Sequence, residues 1–296
     1  MSTPLIGHRR QLEYFNRVVE RGRLAHAYLF YGPAHVGKKT TARLLSEKLG
    51  SAPVILDPDH PLVPKKNAGT RISIEDIREL RRQNSFRPEG ENWRIAVIDE
   101  ADTMSEEAAN AFLKLLEEPG QRTLFILISE SREDLPSTIA SRAQAIRFTL
   151  LPEAEMSEFL SGKKITDGLA KKFLSIAAGR PGILMQLCGD ASYAARELDF
   201  FEKAAKIFRN RDSLLALAFS AQAMGDDASR IRATEYCLRY LRKELLLNAH
   251  DRTRVRNILP RIEFADRCLT MLSTSNVNPR LVMDAMFLET LGPNYI

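Results

Sequence analysis

The chain reads as an α/β domain built on a parallel sheet, followed by a small helical segment and then a longer all-helical region. Three observations predict this. Over the first 150 residues, short apolar runs alternate with amphipathic stretches, the pattern of strands joined by crossover helices. A GxxxxGK sequence stands between one such run and the helix-like stretch that follows it. Beyond about Leu150 the strand signals stop and apolar residues recur at three and four spacing.

Taken in order, the expected strands fall at 27–31, 53–56, 95–98, 124–128 and 145–148, with helices at 38–49, 73–83 and 105–118. Ser105 followed by Glu106 and Glu107 suits the start of the last helix, because a hydroxyl can accept an unpaired N–H and acids favour the positive helix end. Pro53, Pro58, Pro61 and Pro64 punctuate a segment ending in Lys65, Lys66, Asn67, Ala68 and Gly69, which reads as an exposed loop. Residues 151–189 carry two or three short helical patterns, and long helical stretches dominate from about 194. The expected organisation is therefore a nucleotide-binding α/β domain at 1–150, a helical lid at 151–193 and a helical bundle at 194–296.

Composition excludes several classes. At 296 residues, with 44% hydrophobic and 27% charged residues, the chain can bury a core in more than one domain and is not a disordered chain. No window approaches about eighteen consecutive apolar residues, so no membrane span is expected. Residues 1–10 lack an apolar stretch before their charges, which argues against a secretory signal and for a cytoplasmic protein. Cys188, Cys237 and Cys268 lie far apart, no CxxC pair exists and the five histidines do not cluster, so neither a disulfide framework nor a zinc site is expected. The formal charge of +5 favours polyanions without specifying one.

The chemistry concentrates in two motifs. Gly32, Pro33, Ala34, His35, Val36, Gly37 and Lys38 form the GxxxxGK sequence. Its glycines let backbone N–H groups turn inward around phosphates, the helix start adds partial positive charge, and Lys38 can reach the outer phosphates. An incidental glycine-rich turn is the plainer reading, and the flanking strand and helix argue against it. The next position normally offers a hydroxyl to Mg²⁺; here it is Lys39, with Thr40 about 100° further round the helix. Lys39 adds a cation beside the phosphates while metal placement weakens, so ATP binding without brisk hydrolysis is expected.

The partner motif is the apolar run Ile95, Ala96, Val97 and Ile98 ending in Asp99 and Glu100, which puts two carboxylates at a strand tip. Asp99 would hold magnesium and Glu100 would orient or deprotonate water. Asp99, Glu100, Ala101 and Asp102 also spell the tetrapeptide of a helicase class, but such a helicase needs a second α/β core that the residues after 150 do not supply. Ser129 ends the 124–128 run and could sense an outer phosphate or its water. Arg142 stands just before the last strand and reads equally as a surface charge or as a guanidinium aimed at nucleotide on a neighbouring subunit. Arg239, Arg242, Lys243, Arg252, Arg254 and Arg256 gather charge in the helical region, as a solvated face or a DNA contact.

With these residues in view, residues 24–40 (LAHAYLFYGPAHVGKKT), 99–119 (DEADTMSEEAANAFLKLLEEP) and 135–142 (LPSTIASR) resemble bacterial replicative clamp-loader subunits of the AAA+ superfamily. Residues 72–80 (ISIEDIREL) are similar to the segment that follows a zinc module in those proteins, and 275–288 to the end of their helical collar. The chain departs from the ATPase members in lacking the hydroxyl after Lys38 and in carrying Gly182 where those members have a sensor arginine, with Arg180 out of register. The family's Ser-Arg-Cys motif stands as Ser141, Arg142 and Ala143, and residues 51–71 contain none of the zinc-module cysteines.

The resemblance implies a rigid member of a five-subunit ring that donates Arg142 to ATP on an adjacent ATPase (gamma/tau) subunit and hydrolyses little itself. It also implies a delta subunit, a sliding clamp and primer–template DNA as further partners, while the missing cysteines leave no zinc expected and the lack of an apolar span leaves no membrane contact expected. On that reading Gly32, Gly37, Lys38, Lys39, Thr40, Asp99, Glu100 and Ser129 form a retained or vestigial site for ATP with Mg²⁺, and the bundle at 194–296 is either an assembly interface or self-contained.

Overall fold

The computed structural model describes residues 5–58, 71–85, 93–163, 165–210, 212–225, 227–274 and 277–291. The lysine-bearing loop expected at 65–69 lies outside the described residues. The chain divides into two compact units, Met1–Gln186 and Leu187–Ile296.

The first unit is built on five parallel strands, β1 (Ala27–Tyr31), β2 (Val54–Leu56), β3 (Arg94–Ile98), β4 (Thr123–Ser129) and β5 (Gln144–Arg147), in the order β2-β3-β4-β1-β5. Each expected strand is present within a residue or two. Their apolar residues run continuously because both faces of the sheet are covered. Ala27, Leu29, Ala96, Ile98, Phe125 and Leu127 face one side and pack with α3 (Ile74–Ser85) and α4 (Glu106–Glu117). Tyr28, Phe30, Ile95, Val97, Leu124 and Ile126 face the other and pack with α1 (Arg9–Glu20) and α2 (Lys38–Lys48). Alternation at period two thus feeds two cores rather than one core and a solvated face. Fully buried rings such as Phe30 and Phe112 each contribute about 1.5–3 kcal/mol by leaving water.

Local signals explain the helix starts. Ser105 caps α4, its hydroxyl accepting from the Ala108 N–H at 3.1 Å. Ser73 and Asp76 form a reciprocal pair at the start of α3, the Asp76 carboxylate accepting from the Ser73 N–H at 2.9 Å and from its hydroxyl at 2.6 Å. A short helix α5 (Ser137–Ala140) precedes β5, and three more, α6 (Glu153–Ser161), α7 (Asp167–Ala177) and α8 (Pro181–Gly189), follow it. The residues of this helical segment up to 186 are part of the first compact unit.

The second unit is helical: α9 (Ala191–Asn210), α10 (Ser213–Ala223), α11 (Asp227–Leu247), α12 (Arg252–Thr274) and α13 (Pro279–Leu291). It has a core of its own, centred on Phe208, Phe219, Tyr236, Met283 and Phe287. The arginines of this region do not form one solvated face. Arg239 pairs with Glu235 at 2.8 Å with its side chain only 16% exposed, whereas Arg242, Arg252, Arg254 and Arg256 are exposed. Among the described residues no helix is long and apolar enough to cross a membrane.

Candidate nucleotide site

The carboxyl ends of β1, β3 and β4 open into a cleft of about 650 Å³ at the start of α2. This is the edge at which open parallel sheets bind ligands. Gly37, Lys38, Lys39, Thr40, Asp99, Glu100 and Ser129 all line it, so the residues singled out in the two motifs converge. Gly32 begins the loop at φ 141°, where a Cβ would run into the Phe148 carbonyl oxygen, and Gly37 ends it at φ 106°. Both positions need a residue without a side chain.

Lys38 is buried and folds back under its own loop, its ammonium donating to the carbonyl oxygens of Gly32 and, at 2.8 Å, of Pro33. Burial lowers its pKa from the ordinary lysine value, opposed by the charges of Glu130, Asp99 and Asp102. Lys39 lines the cleft beside Lys38 and is held there by two carboxylates. Its ammonium lies 3.0 Å from an Asp57 carboxylate oxygen and 3.0 Å from one of Asp99. Burial alone would lower its pKa, but the bonds to Asp57 and Asp99 outweigh that and raise it.

Asp99 is set at this height because its N–H donates to the Leu56 carbonyl at 2.8 Å, prolonging the β2–β3 pairing by one bond. Glu100 follows in the left-handed region at φ 50°, and its carbonyl accepts from the Thr103 N–H and hydroxyl, so the chain turns sharply into a 3-10 turn over Ala101–Thr103. Ser129 is buried, and its hydroxyl donates to the Ser131 carbonyl at 2.8 Å. Of the two threonines after Lys39, Thr41 donates its hydroxyl to the Gly37 carbonyl, and Thr40 lines the cleft.

Arg142 lies apart from these residues and does not line the cleft. It is 40% exposed, donating to Glu117 at 3.0 Å and to the Thr138 carbonyl at 3.1 Å. Gly182, at the start of α8, lines the cleft and donates its N–H to the His35 carbonyl at 2.9 Å.

Asp57 and His8 also matter here and were not singled out from the sequence. The His8 ring is buried, lies 2.7 Å from the Val36 carbonyl oxygen and packs edge-on against Phe148, so it props the loop from behind. Asp57 follows directly on a short apolar run, as Asp99 does, and that parallel was the signal available.

Comparison with known proteins agrees with this architecture. Residues 7–152 match the family described as "DNA polymerase III, delta subunit". The chain is 30% identical over 200 residues to a DNA polymerase III subunit gamma/tau of Mycobacterium tuberculosis, covering 59% of this chain and 35% of the relative. It is 30% identical over 175 residues to a DNA polymerase III subunit gamma of Buchnera aphidicola, covering 53% and 47%. The chain thus spans less than half the length of these curated relatives. A crystal structure of a DNA polymerase III gamma subunit-related protein from Thermotoga maritima superposes over 95% of this chain and 99% of its own, with a TM-score of 0.52 and 19% identity. The fold, an α/β phosphate-loop core followed by helices, is shared with that gamma subunit-related protein, and residues 7–152 are similar to the DNA polymerase III delta-subunit domain.

Proposed function

We propose that the chain is the delta prime subunit of a DNA polymerase III clamp loader, a stator that lends Arg142 to ATP held by a neighbouring gamma/tau ATPase subunit. One observation carries the reading: the carboxylate that should serve catalysis, Asp99, is engaged by Lys39 of the same chain, while Arg142 stands exposed outside the cleft. Its own site therefore turns over little or no ATP. A guanidinium reaching a second subunit's γ-phosphate stabilises the charge that develops there during transfer. Assembly with the ATPase and delta subunits falls to the bundle, and the ring so formed opens a sliding clamp and sets it on primer–template DNA in the cytoplasm. ATP drives this only by binding the open ring more tightly than the relaxed one.

The 30% identity to gamma and gamma/tau subunits favours a second reading, an ATP-hydrolysing motor subunit. Reconstitution with ATPase and delta subunits, clamp and primed DNA separates the two. The stator requires that Arg142→Ala cut clamp-stimulated ATP turnover by about 10³ while Lys38→Ala changes it little. A damaging Lys38→Ala with a silent Arg142→Ala makes the chain a motor.

A further inference from the structure

In proteins with this loop a magnesium ion is held beside the strand-end carboxylate, with help from a hydroxyl one residue after the loop lysine. The residues present here do not fit that ion. The side chain at position 39 offers no oxygen and places an ammonium 3.0 Å from an Asp99 carboxylate oxygen. The same nitrogen is held 3.0 Å from Asp57. The Asp99 and Asp57 side chains are 20% and 12% exposed and that of Lys39 is 37% exposed, so solvent reaches the ammonium while the carboxylate ends of these charge-assisted bonds are mostly covered.

The fold makes the arrangement durable. Lys39 sits in the first turn of α2, and its ammonium reaches Asp57 and Asp99, the residues that directly follow β2 and β3. The Asp99 N–H bond to the Leu56 carbonyl brings the residues after those two strands side by side, so one ammonium bridges both aspartates. Among the described residues no three of His, Cys, Asp or Glu gather as metal ligands, so Asp57, Asp99 and Glu100 do not assemble an alternative metal site.

We infer that Lys39 is a built-in substitute for the metal: its ammonium bridges Asp57 and Asp99, offsets one of their two negative charges and closes Asp99 to divalent cations. Phosphate groups that enter the cleft meet the loop N–H groups and Lys38 and draw no help from Mg²⁺. Lys39 thereby decides metal dependence at this site, and its exchange for threonine opens it.

The test is titration of the full chain with a fluorescent ATP analogue in millimolar MgCl₂ and in EDTA, for the native protein and for Lys39→Thr, with circular dichroism to check folding. Native protein whose affinity changes less than about two-fold between the conditions, or that binds in neither, together with a Lys39→Thr variant tightened at least about ten-fold by magnesium, supports the inference. Native binding that magnesium tightens ten-fold, or a folded Lys39→Thr variant indifferent to magnesium, overturns it. If the variant does not fold, Mn²⁺ resonance spectra of the native chain with ATP, read against Mn²⁺ and ATP without protein, decide, since a protein-bound Mn²⁺ signal sinks the idea and its absence upholds it. The inference shares the Lys39–Asp99 contact with the stator reading, but no arm needs a ring partner, so a failure here and a failure of the reconstitution are told apart.

Discussion

The N–H of Gly182 donates to the carbonyl of His35 at 2.9 Å, which fastens the first turn of α8 to the crown of the phosphate loop. A Cβ at residue 182 would stand 3.0 Å from the His35 oxygen and 3.2 Å from its Cβ, tighter than ordinary contact. His35 itself is held at φ 59°, where bulky residues are strained, so the loop has little freedom to give way. A side chain at residue 182 therefore needs the loop at His35 to shift by a few tenths of an ångström.

Gly182→Arg is therefore expected to destabilise the first unit rather than supply a sensor. Overpacking of this kind costs about 1–3 kcal/mol. Urea unfolding followed by circular dichroism measures it. An unchanged midpoint would mean that α8 does not rest on the loop.

His8 gives the fold a pH dependence whose sign follows from burial. Burial lowers its pKa below the ordinary 6.5, opposed by its contact with the Val36 carbonyl and the charge of Glu155. The unfolded chain therefore takes up the proton first. The contribution of neutral His8 is fully present above about pH 6.5 and is lost as the pH falls through that value toward the lower folded pKa. His8 also sits at φ 57°, which asparagine tolerates. His8→Asn should lower the melting temperature at neutral pH and lose less on acidification to pH values between about 5 and 6 than the native chain does. Parallel melting curves for the two proteins across that range would refute the assignment.

Much of the first unit was legible because its signals are local. The β3 and β4 strands read as apolar runs since both faces are buried, and Ser105 announced α4 by its own chemistry. Helix α1 carried the helical spacing in Leu12, Phe15, Val18 and Val19, yet nothing in it pointed to a ligand. The true partners of Lys39 were not legible. Asp57 stands 18 residues away, and Asp99 joins it only because the sheet places β2 beside β3, a topological fact that no spacing encodes. Without it Lys39 reads as a phosphate cation. Spacing likewise does not show that Gly182 packs against His35 of the phosphate loop.

The cysteines test the packing of the second unit chemically. Burial pushes the Cys237 thiol far above its ordinary range and raises that of Cys268 as well, both lying inside the bundle core. The thiolate is the reactive form, so these groups are slow nucleophiles as well as hidden ones. Cys188 is partly exposed. With an aromatic disulfide reagent, Cys188 should react promptly in native protein, and Cys237 and Cys268 only once denaturant opens the bundle. Prompt labelling of Cys237 would contradict the core described above.

Glu117 holds Arg142 at 3.0 Å on the surface, with the two side chains 52% and 40% exposed. An ion pair so open to water contributes about 0.5 kcal/mol or less, so Glu117→Gln should leave the unfolding midpoint nearly unchanged. Its effect on turnover discriminates between the roles of the arginine. If Arg142 serves a neighbouring subunit, it must leave Glu117 or share it with phosphate, and loosening that contact changes ring ATPase by less than about ten-fold, while Arg142→Ala costs about 10³. Arg142→Lys should fail nearly as badly as Arg142→Ala, because an ammonium cannot span two phosphate oxygens as a planar guanidinium does. Should Arg142→Lys retain full turnover, Arg142 acts only as a surface charge, and the exposed ion pair with Glu117 is its whole role.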